Sequence, residues 1–292
     1  MRLATIKQHG KETAAIVTSR GLITLEDINQ ISGSVWPTEL FMLITSGQLE
    51  ELNNWYRQSG SVELENMRVR LLPIDSDYAP PYRRPRKIWG IGLNYAEHAQ
   101  DLSETAPSSE PASFMKPDTA IIGPGETVCV PLQSERTTGE AELGIVIGQK
   151  CKDVPQEIAY QVLAGYVPII DMTAEDILQR NPRNLTLSKS FDSFFSFGPH
   201  LITPDEIDNP LSLHVATYLN GQLHRQNVVA NMTFRPDFLI AFHSRVMTLL
   251  PGDIISTGTP GAVVIRDGDQ IEARIDGFPP LINPVKDLKR RV

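Results

Sequence analysis

Thr138-Gly139-Glu140-Ala141-Glu142-Leu143 runs directly into the apolar segment Gly144-Ile145-Val146-Ile147-Gly148. A short aliphatic run bounded by glycines reads as a strand, and a strand puts residues i and i+2 on one face. Glu140 and Glu142 then project side by side, while Ala141 and Leu143 face the other way. Two carboxylates that close raise each other's pKa unless a cation lies between them. Oxygen-only ligands of this kind suit a hard divalent ion such as Mg²⁺, Mn²⁺ or Ca²⁺. The alternative for an isolated Glu-x-Glu is an edge strand showing two acids to water. Two features weigh against it: the apolar run that follows, and a lone Asp171 that ends a second apolar run, Leu163-Ala164-Gly165-Tyr166-Val167-Pro168-Ile169-Ile170.

Working outward, 292 residues suffice for one large core, or for a catalytic domain with a smaller partner. Hydrophobic residues make up 41% and charged residues 21%, the balance of a soluble globular protein without global disorder. A net charge of −8 argues against nucleic acid, because phosphate binding needs a broad Lys/Arg surface. The two cysteines, Cys129 and Cys151, form neither a zinc-ribbon spacing nor a disulfide framework, which fits a reducing compartment. The N-terminus lacks the apolar core of a signal peptide, and no apolar run has the length of a membrane span. The default expectation is cytoplasmic, with no membrane partner.

Before the central stretch, Arg2–Gln8 and Thr13–Thr18 read as a hairpin, and Thr24 as a helix cap ahead of Glu26 and Asp27. A helix is expected over Pro37–Leu52 and a short strand over Arg68–Leu72. The proline-rich run from Asp75 to Pro85 marks a connection, placing a small α+β domain at 1–75, a linker at 76–86 and the main domain at 87–292. Lys87–Gly92 reads as a buried strand whose glycines let other backbone come close. Ser103–Ser113 is rich in Ser, Pro and Glu and is a candidate lid. Helices are expected at Pro155–Leu163, Thr173–Gln179 (capped by Thr173) and Pro236–Met247, the last with Phe238, Leu239, Phe242 and Val246 on one side. Asn220-Gly221 and Asp267-Gly268 read as hairpin turns.

Four further features carry chemistry. His98 and Asp101, three apart, share a face if helical, and a carboxylate beside a histidine makes a general base. Lys116 and Lys189 are set among apolar residues, where an ammonium needs a carboxylate or an anionic substrate as partner. The loop Thr257-Gly258-Thr259-Pro260-Gly261 offers a hydroxyl and backbone N–H groups to a substrate carboxylate, or serves only as a turn.

In order, these segments resemble the fumarylacetoacetate hydrolase family, in its short-form branch of acylpyruvases, 2-oxo-acid hydratases and homoprotocatechuate-pathway isomerase/decarboxylases. The resemblance covers about residues 85 to 290. It rests on Gly92-Leu93-Asn94-Tyr95-Ala96-Glu97-His98, Phe114-Met115-Lys116-Pro117, Glu140-Ala141-Glu142-Leu143, Asp171, Lys189-Ser190-Phe191-Asp192 and Gly258-Thr259-Pro260. It implies an α+β fold with a mixed β-roll and flanking helices, and a homodimer. It implies Mg²⁺ or Mn²⁺ held by Glu140, Glu142 and Asp171, with Tyr95, Lys116, Gly258 and Thr259 binding a small anionic 2-oxo acid. It further implies that Lys189 neutralises a developing enolate. His98, oriented by Asp101, activates the water that cleaves the C3–C4 bond of a 2,4-dioxo acid such as an acylpyruvate or fumarylpyruvate. Isomerisation, decarboxylation or hydration at the same site is the alternative, and a non-catalytic binding protein of the same fold is a second.

The chain departs from that pattern after Asp171. Where the family has an arginine and a glutamine that help hold substrate, this sequence has Glu175 and Leu178, with Gln179 one place late and Arg180 or Arg183 as replacement cations. The acid after His98 is Asp101 where Glu is usual.

Overall fold

The computed structural model describes residues 1–68, 71–101 and 107–290, with side chains at 99–101 left out of the description. Strands β1 (Arg2–Gln8), β2 (Lys11–Thr18) and β3 (Gly21–Thr24) form an antiparallel meander. Helix α1 (Leu25–Ser32) follows, capped by Thr24, whose hydroxyl accepts from the Asp27 N–H at 3.0 Å. The helix expected over Pro37–Leu52 is instead two, α2 (Leu40–Thr45) and α3 (Gln48–Trp55). Gly47 between them takes φ +80°, which no α-helix accommodates. Helix α4 (Ser61–Asn66) closes this part. The strand expected at 68–72 falls partly outside the described residues, and Leu72 makes a single bridge to Leu22.

After the proline-rich connection come β4 (Ile88–Gly92), α5 (Ala96–Asp101), β5 (Ala112–Lys116), β6 (Ile121–Ile122) and β7 (Val128–Val130). Two long strands follow, β8 (Thr137–Ile147) and β9 (Leu163–Ala174), then α6 (Glu175–Arg180) and α7 (Leu185–Lys189). The chain ends through β10 (Phe195–Phe197), β11 (His200–Ile202), β12 (His214–Leu219), β13 (Gln222–Val228), α8 (Pro236–Val246), β14 (Ile254–Ser256), β15 (Ala262–Val264), β16 (Gln270–Ile275) and β17 (Leu281–Asp287).

The spine is β8 against β9, paired antiparallel from Thr137↔Ala174 to Ile147↔Leu163. The far edge of β8 is covered by β14 and β15, that of β9 by β10 and β11, and every residue of both strands is buried. The Glu-x-Glu stretch therefore lies inside a sheet, and the reading as a solvated edge is excluded. The sheet runs β3-β2-β1-β11-β9-β8-β14-β4-β5, so the N-terminal meander extends it through β1 and β11, and one apolar cluster spans both sides of the proline-rich connection. Mixed pairing, with β14 parallel to β4, and open ends make this an α+β fold rather than a closed barrel.

A second sheet, β13-β12-β16-β17-β7, packs on the face of β8 opposite the glutamates. Small residues make that approach possible. The Ala141 N–H donates to Thr217 Oγ1 at 3.2 Å, and a Cβ on Gly139 would meet Ile271. The 2-residue period of β8 thus assigns one face to packing and the other to chemistry.

Several local expectations change. Pro155–Leu163 is a 3₁₀ segment, Gln156–Val162. Thr173 belongs to β9 rather than capping a helix, and α6 begins at Glu175. Helix α8 buries Leu239, Ile240, Ala241 and His243, while Phe238 and Phe242 stack in a half-buried row with Phe234 at 5.3 and 5.8 Å, and Val246 is exposed. The Asn220-Gly221 hairpin is present, with φ of 53° and 75°. Asp267-Gly268 turns the chain but joins no hairpin, because β15 pairs with β8 whereas β16 pairs with β12 and β17. Cys129 and Cys151 are both free. Among the described residues no helix is long and apolar enough to cross a membrane.

Candidate metal centre

The register of β8 and β9 sets Glu140 directly opposite Asp171, with Glu142 two residues along on the same face. One carboxylate oxygen from each of the three lies within 4.8 Å of the others, and all three residues are buried. The sequence separates Asp171 from the glutamates by about thirty residues; the antiparallel pairing removes that separation.

Two lysines enter the cluster from other elements. Lys189, the last residue of α7, places Nζ 2.5 Å from Asp171 Oδ2 and 3.1 Å from Glu140 Oε2. Lys116, at the end of β5, has Nζ 2.5 Å from Asp171 Oδ1 and donates to the Met172 carbonyl at 3.1 Å. The Oδ1 contact is an ion pair without an aligned hydrogen bond. The Phe114 ring lies beneath both ammoniums, 4.6 Å from Lys189 Nζ and 5.9 Å from Lys116 Nζ. Burial takes Lys116 down to about 8, against the pull of Asp171. Burial acts on Lys189 too, yet Asp171 and Glu140 outweigh it and raise its pKa. The two ammoniums in turn hold the Asp171 carboxyl below the usual carboxylate range, although burial alone would raise it.

Glu142 has a different environment. Its Oε2 accepts from Ser256 Oγ at 2.5 Å and from the Gly258 N–H at 2.8 Å, and no described cation pairs with it. Burial, then Asp171 and Glu140, push its pKa up to about 8. A fully buried carboxylate facing two others without a cation of its own is the electrostatic signature of a cation site. The bridging ammonium of Lys189 shows that Glu140 and Asp171 already converge on one positive charge. Three hard oxygen donors of this kind fit a divalent Mg²⁺ or Mn²⁺.

Of the other expected site residues, Tyr95 and Gly258 stand beside Glu142. Tyr95 is fully buried, and its hydroxyl has no hydrogen-bond partner among the described residues; burial and the charge of Glu142 raise its pKa. His98 is buried on α5. Asp101 ends that helix, but its side chain, and with it the expected His98–Asp101 contact, lies outside the described residues. Of the expected lid, 103–106 lie outside as well, and Ala112 and Ser113 already belong to β5. The N–H of Gly258 is engaged by Glu142, and the buried Thr259 hydroxyl donates to the Gly261 carbonyl at 3.2 Å.

Threonine and asparagine side chains outside the expected set also hold the site together. Thr138 and Thr173 both donate to Glu140 Oε1, at 3.3 and 2.5 Å. Their i±2 spacing from Glu140 and Asp171 was the available signal. Asn94 ties three segments together, donating to the Thr257 and Phe234 carbonyls at 2.7 and 2.9 Å and accepting from the Phe234 N–H at 2.8 Å. It packs under Gly258, whose φ of +97° and missing Cβ leave room for it. Gly90, expected to admit backbone, instead makes room for the Phe114 ring. Gly90→Ala is therefore expected to displace that ring from beneath the lysines and to cost about 1–3 kcal/mol. Urea unfolding measures this, and stability equal to wild type would show that the ring is free to move.

At the departure from the family pattern, Glu175 is buried and bonded on both oxygens, by Arg136 Nε and Gln179 Nε2, each at 2.8 Å. Gln179 is thus spent on Glu175, while Arg180 and Arg183 are exposed.

Comparison with known proteins identifies the family. Residues 87–286 match the family described as fumarylacetoacetate (FAA) hydrolase C-terminal. The mitochondrial oxaloacetate tautomerase of Rattus norvegicus is 33% identical over 216 residues, 71% of this chain and 69% of the relative. Maleylpyruvate hydrolase from Sphingobium sp. SYK-6, solved with manganese(II) and pyruvate, superposes with a TM-score of 0.79 at 28% identity, covering 98% of this chain and 99% of that one. The 5-carboxymethyl-2-hydroxymuconate delta-isomerase of Mycobacterium smegmatis gives 0.75 at 29% identity, with 98% and 99% covered. With two thirds of its length matched by the family, the chain belongs to the fumarylacetoacetate hydrolase family.

Proposed function

We propose that the protein is a divalent-metal-dependent enzyme that hydrolyses a C–C bond in a 2,4-dioxo acid, an acylpyruvate or fumarylpyruvate-like compound. The observation that carries the reading is the buried convergence of Glu140, Glu142 and Asp171 within 4.8 Å, braced by Lys116 and Lys189. Glu140, Glu142 and Asp171 would hold Mg²⁺ or Mn²⁺, which would supply Lewis acidity toward a 2-oxo acid.

The remaining roles fall to side chains. Lys189 holds a positive charge where negative charge develops on the 2-oxo oxygen. Tyr95, buried with an unpaired hydroxyl, donates to substrate oxygen, and Thr259 holds the carboxylate. His98 takes a proton from water as the oxygen attacks the 4-oxo carbon. The C3–C4 electron pair then moves to C3 as the enolate of pyruvate, which regains a proton there. A second reading, isomerisation or tautomerisation, is favoured by the names of the rat and mycobacterial relatives. It uses the same enolate stabilisation but returns the proton without consuming water.

A panel of acylpyruvates, fumarylpyruvate and oxaloacetate with Mn²⁺, followed by mass, separates the two. Cleavage adds water and yields two fragments, whereas isomerisation leaves the mass unchanged. His98→Ala is expected to lower hydrolytic turnover by about 10²–10⁴-fold. Turnover within a few-fold of wild type would remove His98 from the scheme.

A further inference from the structure

The row of cross-strand pairs that carries the acids extends past them. Glu140 faces Asp171 and Thr138 faces Thr173. One same-face step further, Arg136 meets Glu175, whose N–H donates to the Arg136 carbonyl at 2.8 Å. The threonine hydroxyls reach Glu140, which identifies this row as the side of the strands carrying the cluster. Arg136 therefore stands on that side, about 13 Å along the strand from Glu140 at the usual rise per residue.

Burial changes along the row. Asp171 is fully buried, the Glu175 side chain is 11% exposed, and that of Arg136 is 50% exposed. The row thus leads from a closed cluster to an open rim, where Arg136 supplies the cation paired with Glu175. Arg136 is held by Nε alone, which donates to Glu175 Oε2 at 2.8 Å, while Gln179 fixes Glu175 Oε1. Among the described residues nothing occupies the two Nη groups. Glu175 is accordingly a strut that orients a guanidinium, and a planar guanidinium fork matches a carboxylate in bidentate geometry.

We propose that Arg136, oriented by Glu175 and Gln179, is the specificity-determining cation of this site, selecting 2-oxo acids that carry a second carboxylate at the far end. The inference rests on the 2-oxo-acid reading above. Arg136 acts on binding of the distal group and takes no part in the bond cleavage.

The test is calorimetric binding, with Mn²⁺ present, of 2-oxoadipate against 2-oxohexanoate, which lacks the distal carboxylate. Wild type is expected to prefer the diacid by about tenfold or more, the worth of a charge-assisted pair. Arg136→Gln removes the preference and leaves the monoacid affinity unchanged. Arg136→Lys restores part of the preference, and Glu175→Gln, which frees the guanidinium, gives an intermediate value. In turnover, Arg136→Gln raises KM for fumarylpyruvate about tenfold with kcat nearly unchanged, and leaves acetylpyruvate unaffected. An Arg136→Gln variant that keeps the preference, or a wild type that binds both acids equally, overturns the proposal alone. A wild type that binds neither acid overturns the 2-oxo-acid reading, and this inference with it.

Discussion

Asp171→Asn is expected to destabilise the protein by about 3–5 kcal/mol, the cost of leaving buried charge without its partner. Lys116 and Lys189 both place their ammoniums 2.5 Å from Asp171, and Lys116 is fully buried there. An amide keeps the shape of the carboxylate and removes the anion, so Lys116 loses its ion pair and Lys189 keeps only Glu140. For a domain of this size the melting temperature should fall by roughly 10 °C. The double variant Lys116→Met/Asp171→Asn should recover part of the loss, because one unpaired ammonium is gone. Stability of Asp171→Asn within about 1 kcal/mol of wild type would mean that the lysines relax to water, contrary to their burial.

Glu142→Gln separates stability from function in the opposite sense. Glu142 is the one acid of the three without a lysine partner, and its folded pKa of about 8 lies above the ordinary 4.5. Between those values the folded state holds a proton that the unfolded state has released, so stability without metal falls as pH rises through that window. Glu142→Gln should flatten that decline and raise metal-free stability at pH 8 by on the order of 1–2 kcal/mol. The rise in melting temperature expected of wild type with Mn²⁺ by mass action should be abolished by the same substitution, as should turnover. A Glu142→Gln variant whose melting temperature still climbs with Mn²⁺ concentration would remove Glu142 from the ligand set.

Asp171 and Glu142 also show why parts of the site were legible in advance and others were not. The i, i+2 spacing of Glu140 and Glu142 is a local property, and strand geometry translates it directly into a shared face. The burial of that strand followed from Ile145-Val146-Ile147. Lys116 and Lys189 were conspicuous because apolar neighbours in sequence mean apolar neighbours in space, where an ammonium needs an anion. The partner anions are not local: Asp171 is supplied by β9 and Glu140 by β8. Gly90 shows the opposite limit, since its glycine suggested a close approach but not that a Phe114 ring makes it. The apolar spacing of α2 and α3 continues through Gly47, so the sequence predicts one helix, and only the backbone angle at Gly47 interrupts it.

From the sequence alone came the strand that carries the acids, the identity of the charged groups and the family resemblance, because each rests on residue types at short spacing. Tertiary structure decided which charges meet. The register of β8 and β9 brings Asp171 opposite Glu140, leaves Glu142 without a cation, and carries Arg136 to Glu175 at the open end of the row. No tight turn joins β8 to β9 to fix their register, which depends on matching the buried faces of two strands distant in sequence.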